Sequence, residues 1–452
     1  MRPGQPMHSL EQLQRGELIG IRRLDLAADL SEFPEAIFTL ADSLEVLNLS
    51  GNQLHSLPAD LARLHKLRVL FCSDNRFTKV PAVLGQCPQL QMVGFKANQI
   101  RHLPAAALPA KLRWLILTDN QLEQLPAELG ECQQLQKLML AGNRLRELPA
   151  SLANCHNLEL LRIAANQLST LPEWLLNMPR LAWLAFAGNP FCQSNEAAAL
   201  SASPLPQIAW QQLALEHLLG EGASGIIQQA RWQISHDKTQ SVALKLFKGA
   251  VTSDGLPQSE MSACIAAGGH PHLIALHGIL SQHPQHLPGL VLELIDNSFS
   301  NLAMPPSLES CTRDIYSANS QFSLSMLLSL AQGIASAGSH LHAQGINHGD
   351  LYAHNILSNA HGACLLGDFG AASFSPRQHP SQATALQRIE VRAFGCLLEE
   401  LLERCPTTPG TETQIDALWA LQNSCTQPAS KNRPLFADIQ RQLQSIVNEA
   451  VI

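Results

Sequence analysis

Four short motifs follow one another in the C-terminal half of the chain: Gly220-Glu-Gly222-Ala-Ser-Gly225-Ile-Ile227, Val242-Ala-Leu-Lys245, His348-Gly-Asp350-Leu-Tyr-Ala-His-Asn355 and Asp368-Phe-Gly370. The glycine spacing alone would also suit a dinucleotide-binding fold, but that fold needs a helix directly after the glycines. Here Ile226-Ile227 continues as Gln-Gln-Ala230-Arg-Trp232, which is typical of a strand. The sequence therefore predicts a glycine-rich turn between two strands.

Lys245, in the C-terminal half of the chain, is expected to need a carboxylate partner. Lys245 lies in the apolar run Val242–Phe247, which predicts a strand. A buried ammonium group is costly unless an opposite charge pairs with it. Glu260 follows in a helix-compatible run and is the best candidate for that partner.

In order and spacing, the four motifs resemble the ATP site of protein kinases. The resemblance covers about residues 213–447 and implies a bilobal α+β domain that uses ATP and Mg²⁺. It also implies that Asp350 orients the acceptor hydroxyl, that Lys245 and Glu260 form the catalytic ion pair, and that Asn355 and Asp368 bind the metal. The residues that it places around the nucleotide are Gly220, Glu221, Gly222, Gly225, Ile227, Ala243, Lys245, Leu292, Glu293 and Ile295.

Several positions depart from the kinase pattern. Gly349 replaces an arginine that usually binds a phosphorylated activation loop, which suggests activity without loop phosphorylation. Tyr352 stands where serine/threonine kinases carry a phosphate-contacting lysine, and His354 is the residue that could partly substitute. Only 21 residues separate Asp368 from Glu390, and Ala-Pro-Glu is missing between them. The platform that holds a peptide acceptor is therefore predicted to be shortened or missing.

Three interpretations of this half stay open. A serine/threonine protein kinase is favoured, because the complete glycine motif and Asp-Phe-Gly are present. Small-molecule kinases of the aminoglycoside/choline type also use His-Gly-Asp, and a pseudokinase scaffold is the third option. Tyrosine occurs only at Tyr316 and Tyr352, so autophosphorylation is expected on serine or threonine. Candidates in the short segment are Ser373, Ser375, Ser381 and Thr384.

The N-terminal half repeats itself in steps of 23 residues, with one step of 22. The repeats begin at Ile21, Leu44, Leu67, Leu90, Leu112, Leu135, Leu158 and Leu181. The ninth position is asparagine in each repeat except the first, where it is Asp29. The consensus LxxLxLxxNxLxxLPxxLxxLxx resembles leucine-rich repeats and predicts an α/β solenoid of about eight repeats. Its leucines point inward from a short parallel strand, and the asparagine satisfies backbone groups at the turn.

The predicted organisation is an N-terminal cap over residues 1–20, repeats over 21–192, a linker over 193–209 and the kinase-like domain over 210–448. Strand positions three and five of each repeat are expected to point outward, and they form an unusually apolar stripe. Such a stripe predicts either a protein-binding surface or a face on which the kinase domain packs. Its large apolar members are Phe71, Met92, Trp114, Met139, Leu160 and Trp183.

The charge balance, the apolar runs and the cysteines of the chain indicate its class of partner and its location in the cell. The chain has 30 basic and 37 acidic residues, which disfavours nucleic acid as a partner. No run of about 18 apolar residues is present, so no membrane span is expected, and the first residues lack the apolar core of a signal peptide. The eleven cysteines form no paired CxxC spacing, which predicts reduced thiols and a cytoplasmic location.

Overall fold

A computed structural model of the protein describes residues 8–201, 205–222, 224–248, 251–376 and 379–448. The described part of the chain divides into two compact units. The first contains the residues up to Leu161 together with Asn166–Leu175, and the second contains Arg162–Ala165 together with the residues from Leu176 onward. The second unit therefore includes the end of the repeat region as well as all four motifs.

The first unit is a stack of repeats, each with one three-residue strand. After a short helix α1 (Leu10–Gln14), the strands pair in parallel, each with the next, from the first to the sixth. They are β1 (Arg23–Asp25), β2 (Val46–Asn48), β3 (Val69–Phe71), β4 (Met92–Gly94), β5 (Trp114–Ile116) and β6 (Lys137–Met139), and β7 (Leu160–Arg162) has the same place in the seventh repeat. The predicted solenoid is confirmed.

The segments between these strands are 3₁₀ helices rather than α-helices. Five of them begin directly after a proline: Glu35–Leu40, Ala82–Gln86, Ala105–Ala107, Ala127–Glu131 and Ala150–Asn154. Proline suits a helix start because its missing N–H would have no partner there. A repeat of 22 or 23 residues leaves room for only one such short turn beside each strand.

Asparagine side chains tie neighbouring repeats together, as the sequence predicts. Asn120 Oδ1 accepts a hydrogen bond from the Ile100 N–H at 2.9 Å, and its Nδ2 donates to the carbonyls of Phe95 and Leu117 at 2.9 and 3.1 Å. Asn52 makes the equivalent set three repeats earlier: its Oδ1 accepts the Leu30 N–H at 3.1 Å, and its Nδ2 donates to the carbonyls of Leu26 and Leu49. Each buried amide thus satisfies backbone groups of two successive repeats.

Part of the apolar stripe is buried. Met92 and Leu160 are buried, at 2% and 5% of their accessible surface. Side chains on this face contact one another: the Trp114 indole N–H donates to Met139 Sδ at 3.4 Å, and the Lys137 ammonium lies 4.6 Å from the centre of the Trp114 ring. At Met92 and Leu160 the stripe is therefore covered rather than open to solvent.

The predicted linker contains regular structure. Following β8 (Trp183–Ala185), residues Gln193–Ser201 form helix α2, and Gln207–Ala209 form strand β9. The run Glu196-Ala-Ala-Ala-Leu200 has high helix propensity, which the flanking serines and prolines obscured. Residues 202–204 of the segment lie outside the described residues, as do residues 1–7 of the predicted cap.

A twisted sheet forms the first part of the motif-bearing region. Its strands are β9, β10 (Leu213–Glu221), β11 (Gly225–Ser235), β12 (Lys238–Phe247), β13 (Leu276–Ser281) and β14 (Gly289–Glu293), in the order β10-β11-β12-β14-β13-β9. Helix α3 (Pro257–Ala267) lies between β12 and β13 in the chain. Its Ser259 hydroxyl donates to Glu196 of α2 at 2.9 Å, which ties the predicted linker to α3.

The remaining elements are mostly helical. They are β15 (Ser300–Asn301), α4 (Leu324–Ala343), β16 (Ile346–Asn347), β17 (Ile356–Ser358), β18 (Cys364–Leu366), β19 (Ser373–Phe374), α5 (Pro380–Leu402), α6 (Glu412–Cys425) and α7 (Phe436–Asn448). Helices α4 and α7 meet where Gly338 leaves room for the Phe436 ring. In the part of the chain that the structure describes, no helix has the length and apolarity needed to cross a bilayer.

Candidate active site

Strand β12 and helix α3 bring Lys245 and Glu260 together. The Lys245 ammonium and the Glu260 carboxylate form an ion pair, and both side chains are largely buried. Burial alone lowers the pKa of Lys245, but the carboxylates of Glu260 and Asp368 raise it above its ordinary value. Lys245 is therefore held as a cation in an apolar strand, with the partner that the sequence predicted.

The stretch from His348 to Asn355 forms a loop between β16 and β17. Asn355 Nδ2 donates to the Asp350 backbone carbonyl at 2.9 Å and to Asp350 Oδ2 at 2.8 Å. The His348 ring lies 2.8 Å from the carbonyl of Gly367, and the Gly367 N–H donates to the Asn355 carbonyl at 2.9 Å. These bonds attach the residue before Asp368 to the loop that carries Asp350 and Asn355.

Helix α5 anchors the same loop through a buried carboxylate. Glu390 Oε1 accepts the Gly349 N–H at 2.6 Å, and its Oε2 lies 2.7 Å from His342 Nε2. Burial opposes ionisation of Glu390, but the His342 contact outweighs it and lowers the pKa of the carboxyl below its ordinary value. Glu390 thereby fixes the backbone beside Asp350.

Gly349 has a structural reason to be glycine. Its φ is 73°, and a Cβ atom would lie 2.6 Å from the Ala371 carbonyl oxygen and 2.7 Å from that of Leu184. Any larger residue, including the arginine of the usual kinase pattern, would overlap backbone atoms. The eighth repeat, to which Leu184 belongs, thus occupies space beside the loop.

Two further side chains of the last repeats touch this loop. Trp183 stacks on Tyr352 with ring centres 4.2 Å apart, and its indole N–H donates to the Leu351 carbonyl at 3.0 Å. Arg162 forms an ion pair with Asp350, donates to the Gly349 carbonyl at 3.0 Å and donates to Asp254 at 2.6 Å. For these two residues, the expectation that the stripe packs on the kinase-like region agrees with the structure.

Sequence reasoning missed the role of Arg162 and Asp254. Arg162 was expected to point outward from its strand, and Asp254 lies in a loop without a motif. Burial opposes the charge of Asp350, yet the Arg162 guanidinium, with His354 and His348, holds the pKa of Asp350 below its ordinary value. The available signal was an arginine in an otherwise apolar stripe, combined with a catalytic loop that lacks the usual cation.

The glycine-rich turn lies between β10 and β11. Among the described residues outside their immediate chain neighbours, no atom lies within 4 Å of where a Cβ would stand at Gly220 or Gly222. A Cβ at Gly225 would be 2.2 Å from the Leu246 carbonyl oxygen. Gly225 is thus needed for packing against β12, while the first two glycines leave open space beside the backbone. That space is where a phosphate group could approach.

A cavity of about 100 Å³ opens behind this turn. Apolar side chains dominate its lining, and Lys245, Glu260 and Asp368 provide the charged part. Five of the residues predicted from the sequence line the cavity: Ile227, Lys245, Glu260, Leu292 and Asp368.

The other residues predicted to bind the nucleotide are not part of the cavity lining. Ala243 lies opposite Leu292 in the sheet. Glu293 already donates its N–H to Ala275 at 2.8 Å, so that group does not face a base. Glu221 pairs with Lys248, and Ile295 follows the end of β14.

The predicted metal ligands suit a hard cation. Asn355 donates through Nδ2 to Asp350, which turns its amide oxygen away from that carboxylate. Asp368 is exposed, has a φ of 53° and accepts the Gly370 N–H at 3.1 Å through Oδ1. One amide oxygen and one carboxylate are the oxygen donors that Mg²⁺ binds together with phosphate. The donor set and the open glycines therefore fit a nucleotide with its metal.

The hydroxyl side chains considered for autophosphorylation differ in how accessible they are to solvent. Tyr316 and Tyr352 are buried, at 9% and 4% of their accessible surface. Ser373 accepts the N–H groups of Phe186 and Ala187, and Ser375 donates to Asn347 at 2.6 Å, so neither hydroxyl is free to react. Of the predicted segment, Ser381 is exposed and Thr384 is half-buried near the start of α5.

Comparison with known families agrees with this geometry. The family "Protein tyrosine and serine/threonine kinase" matches residues 213–394. The families "Leucine rich repeat" and "Leucine Rich repeats (2 copies)" match residues 133–191 and 42–82. The chain carries leucine-rich repeats followed by a protein kinase domain. The four motifs, with Lys245 paired to Glu260, all lie in or beside the matched kinase region.

The individual relatives include two named as receptors and one named as a kinase. The chain is 28% identical to "Ephrin type-B receptor 4a" of Danio rerio over 200 residues, which is 40% of this chain and 18% of the relative. It is 29% identical to "Ephrin type-B receptor 4" of Homo sapiens over 35% of this chain and 15% of the relative. It is 24% identical to an Arabidopsis thaliana protein named "Probable serine/threonine-protein kinase" over 35% of this chain and 29% of the relative. The chain thus spans less than a third of the length of these relatives.

Proposed function

We propose that the protein is an ATP- and Mg²⁺-dependent serine/threonine protein kinase whose leucine-rich repeats bind a protein partner. The observation that carries the proposal is the assembled ATP side of the site: Lys245 is paired with Glu260, and Asn355 and Asp368 lie on two segments joined by the Gly367–Asn355 hydrogen bond. Phosphoryl transfer depends on positioning and charge neutralisation, and these are the groups that provide both.

Each residue has a distinct part in the proposed reaction. ATP with its metal supplies the phosphoryl group and neutralises part of its charge. Lys245 binds the phosphates while Glu260 keeps its ammonium in place, and the backbone at Gly220 and Gly222 approaches them closely. Asp350 accepts the hydrogen bond of the acceptor hydroxyl and orients it. Asn355 holds Asp350 through Nδ2 and offers its amide oxygen to the metal, together with Asp368.

The proposal that serine or threonine is the acceptor rests on which hydroxyl groups of this chain are accessible. Its two tyrosines are buried, while Ser381 is exposed. The short segment after Asp368 leaves little platform for a peptide, so a small acceptor of the kind used by His-Gly-Asp kinases is the second candidate. The same assay with protein and small-molecule acceptors distinguishes the two.

The cellular setting is proposed on the cysteines. All eleven lie in the described part of the chain as unbridged thiols, and all but Cys264 are buried. Burial raises the pKa of Cys364 to about 12 and that of Cys87 to about 11. Such thiols pack as small apolar side chains. A reducing, cytoplasmic environment suits them, and the partner of the repeats would be a protein of that compartment.

Lys245→Met tests the proposed function. Removing the ammonium should reduce phosphate transfer by at least about 100-fold, because the phosphates lose their cation, while partner binding by the repeats persists. Lys238→Met on the same strand is the matched control, since Lys238 is exposed at the start of β12. Background-level transfer in both the wild type and Lys245→Met would favour a scaffold that does not transfer phosphate, and equal transfer above background would contradict the role given to Lys245.

A further inference from the structure

Among the described residues, no side chain of the loop from His348 to Asn355 forms an ion pair with Asp350. Tyr352 is uncharged and stacks on Trp183. His354 is directed to another carboxylate: its Nδ1 lies 2.7 Å from Asp314 Oδ1, and its N–H donates to Asp314 Oδ2 at 3.0 Å. Tyr352, at the position of the usual lysine, is therefore used for packing, and His354, the residue that could partly substitute for it, forms a separate ion pair.

A cation reaches Asp350 from the seventh repeat instead. Arg162 Nη2 pairs with Asp350 Oδ1, while Asn355 Nδ2 donates to Asp350 Oδ2 at 2.8 Å. Both carboxylate oxygens are thus held by fixed donors. The Arg162 side chain keeps only 2% of its surface, whereas Asp350 keeps 17%. The arginine therefore lies behind the carboxylate, and part of Asp350 stays open to an acceptor.

The guanidinium is itself fixed by two other groups. Its Nη1 donates to the Gly349 carbonyl at 3.0 Å, and its Nε donates to Asp254 Oδ1 at 2.6 Å. A tight turn aims Asp254: Thr252 Oγ1 accepts the N–H groups of Asp254 and Gly255 at 3.2 and 3.1 Å. Arginine suits such a place because its planar fork donates in several fixed directions.

The surrounding packing shows that this arrangement is built into the fold. Ile163 donates its N–H to the Ala185 carbonyl at 2.9 Å, which joins the segment of Arg162 to the strand of Trp183. Trp183 donates to the Leu351 carbonyl, and glycine is required at 349 because Leu184 lies against it. Residues 162–165 accordingly belong to the same compact unit as the catalytic loop.

We propose that Arg162 is a positioning residue for phosphoryl transfer, which provides from the seventh repeat the direct ion-pair partner of Asp350. This inference rests on the proposed kinase function. Arg162 orients the Asp350 carboxylate and balances its charge beside the phosphate site. The last repeats are then part of the active site, in addition to any role in binding a partner.

The test compares Arg162→Gln and Arg162→Lys with the wild type in the full-length protein. Full-length Asp368→Ala protein is the acceptor, and initial rates are measured against ATP concentration. Arg162→Gln should lower kcat about 100-fold, the size expected when a reacting group is misplaced by about 1 Å, with little change in KM for ATP. Arg162→Lys keeps the charge and should fall between the two. Arg146→Gln, an exposed arginine of the repeats, is the matched control.

Nucleotide-induced thermal stabilisation, measured on each variant, separates positioning from folding. Retained stabilisation with a lowered kcat supports the inference. An unchanged or higher kcat in Arg162→Gln would overturn it, the higher value meaning that the ion pair restrains Asp350. Equal losses in the Gln and Lys variants with loss of nucleotide stabilisation would reduce Arg162 to a structural role. A wild-type protein that transfers no phosphate would instead refute the proposed function, and the inference with it.

Discussion

At the scale of a single residue, Gly349 is a position where the loop from His348 to Asn355 packs against the last repeat. Its backbone has a φ of 73°, and a Cβ would lie 2.6 Å from the Ala371 oxygen and 2.7 Å from the Leu184 oxygen. Gly345 has nearly the same φ, 74°, but no atom lies within 4 Å of its Cβ position. The two glycines therefore differ in the space around them and not in backbone conformation.

Gly349→Ala should consequently destabilise the protein more than Gly345→Ala. Both changes carry the strain of a left-handed residue, about 1–2 kcal/mol, but only the first adds an overlap with backbone oxygens. Chemical unfolding of both variants, followed by the tryptophan signal of the second unit, measures the difference. Equal losses of unfolding free energy would mean that Leu184 does not pack on the loop as described.

At the scale of single residues, a contact could be predicted from the sequence where a buried charge requires an opposite charge. Lys245 in an apolar strand needed a carboxylate, and Glu260 is the one that it contacts. Such a prediction was not possible for Arg162, because an outward strand position does not reveal which surface lies opposite. The partner of Arg162 is 188 positions away in the sequence, and no local pattern encodes a contact of that range.

Single elements depend on hydrogen bonds that run between repeats. Asn120 is buried and serves the Ile100 N–H and the Phe95 and Leu117 carbonyls. Because these groups lie in the interior of the stack, water cannot replace the amide. The asparagine thus stabilises the boundary between strands β4, β5 and the segments that follow them.

Asn120→Ala should lower the unfolding free energy by about 1–3 kcal/mol for the groups left unsatisfied. Asn154→Ala is the control, since Asn154 is exposed at the end of a 3₁₀ helix of the same unit. Urea unfolding followed by circular dichroism measures both. A loss in Asn154→Ala as large as that in Asn120→Ala would contradict the role given to the asparagine ladder.

Element prediction was accurate for the repeats because eight copies in register report the same pattern. At two segments that occur only once, the sequence predicted a linker or no element at all. Residues 193–201 form a helix rather than a linker, and the turn around Asp254 carries no recognisable motif. In both cases tertiary contacts, to α3 and to Arg162, decide the structure.

At the scale of the whole molecule, the sequence patterns predict the repeats and the kinase domain separately, but they do not predict how the last repeats contact the kinase domain. The family of each part could be predicted from motifs and from the repeat period, and the comparisons confirm both. The boundary could not, since Arg162–Ala165 and the residues from Leu176 onward group with the kinase domain. Packing of the last repeats on the catalytic loop depends on shape, which one sequence expresses only through isolated residues such as Gly349.

The central claim is that the assembled site transfers phosphate to serine or threonine. The most direct measurement is incorporation of labelled phosphate by the purified full-length protein with ATP and Mg²⁺, beside Asp368→Ala and a sample with the metal chelated, followed by mass spectrometry of the product. The account predicts label in the wild type only, on serine or threonine, with Ser381 favoured over the buried Ser373 and Ser375. Label on Tyr316 or Tyr352, or equal label in Asp368→Ala, would contradict it.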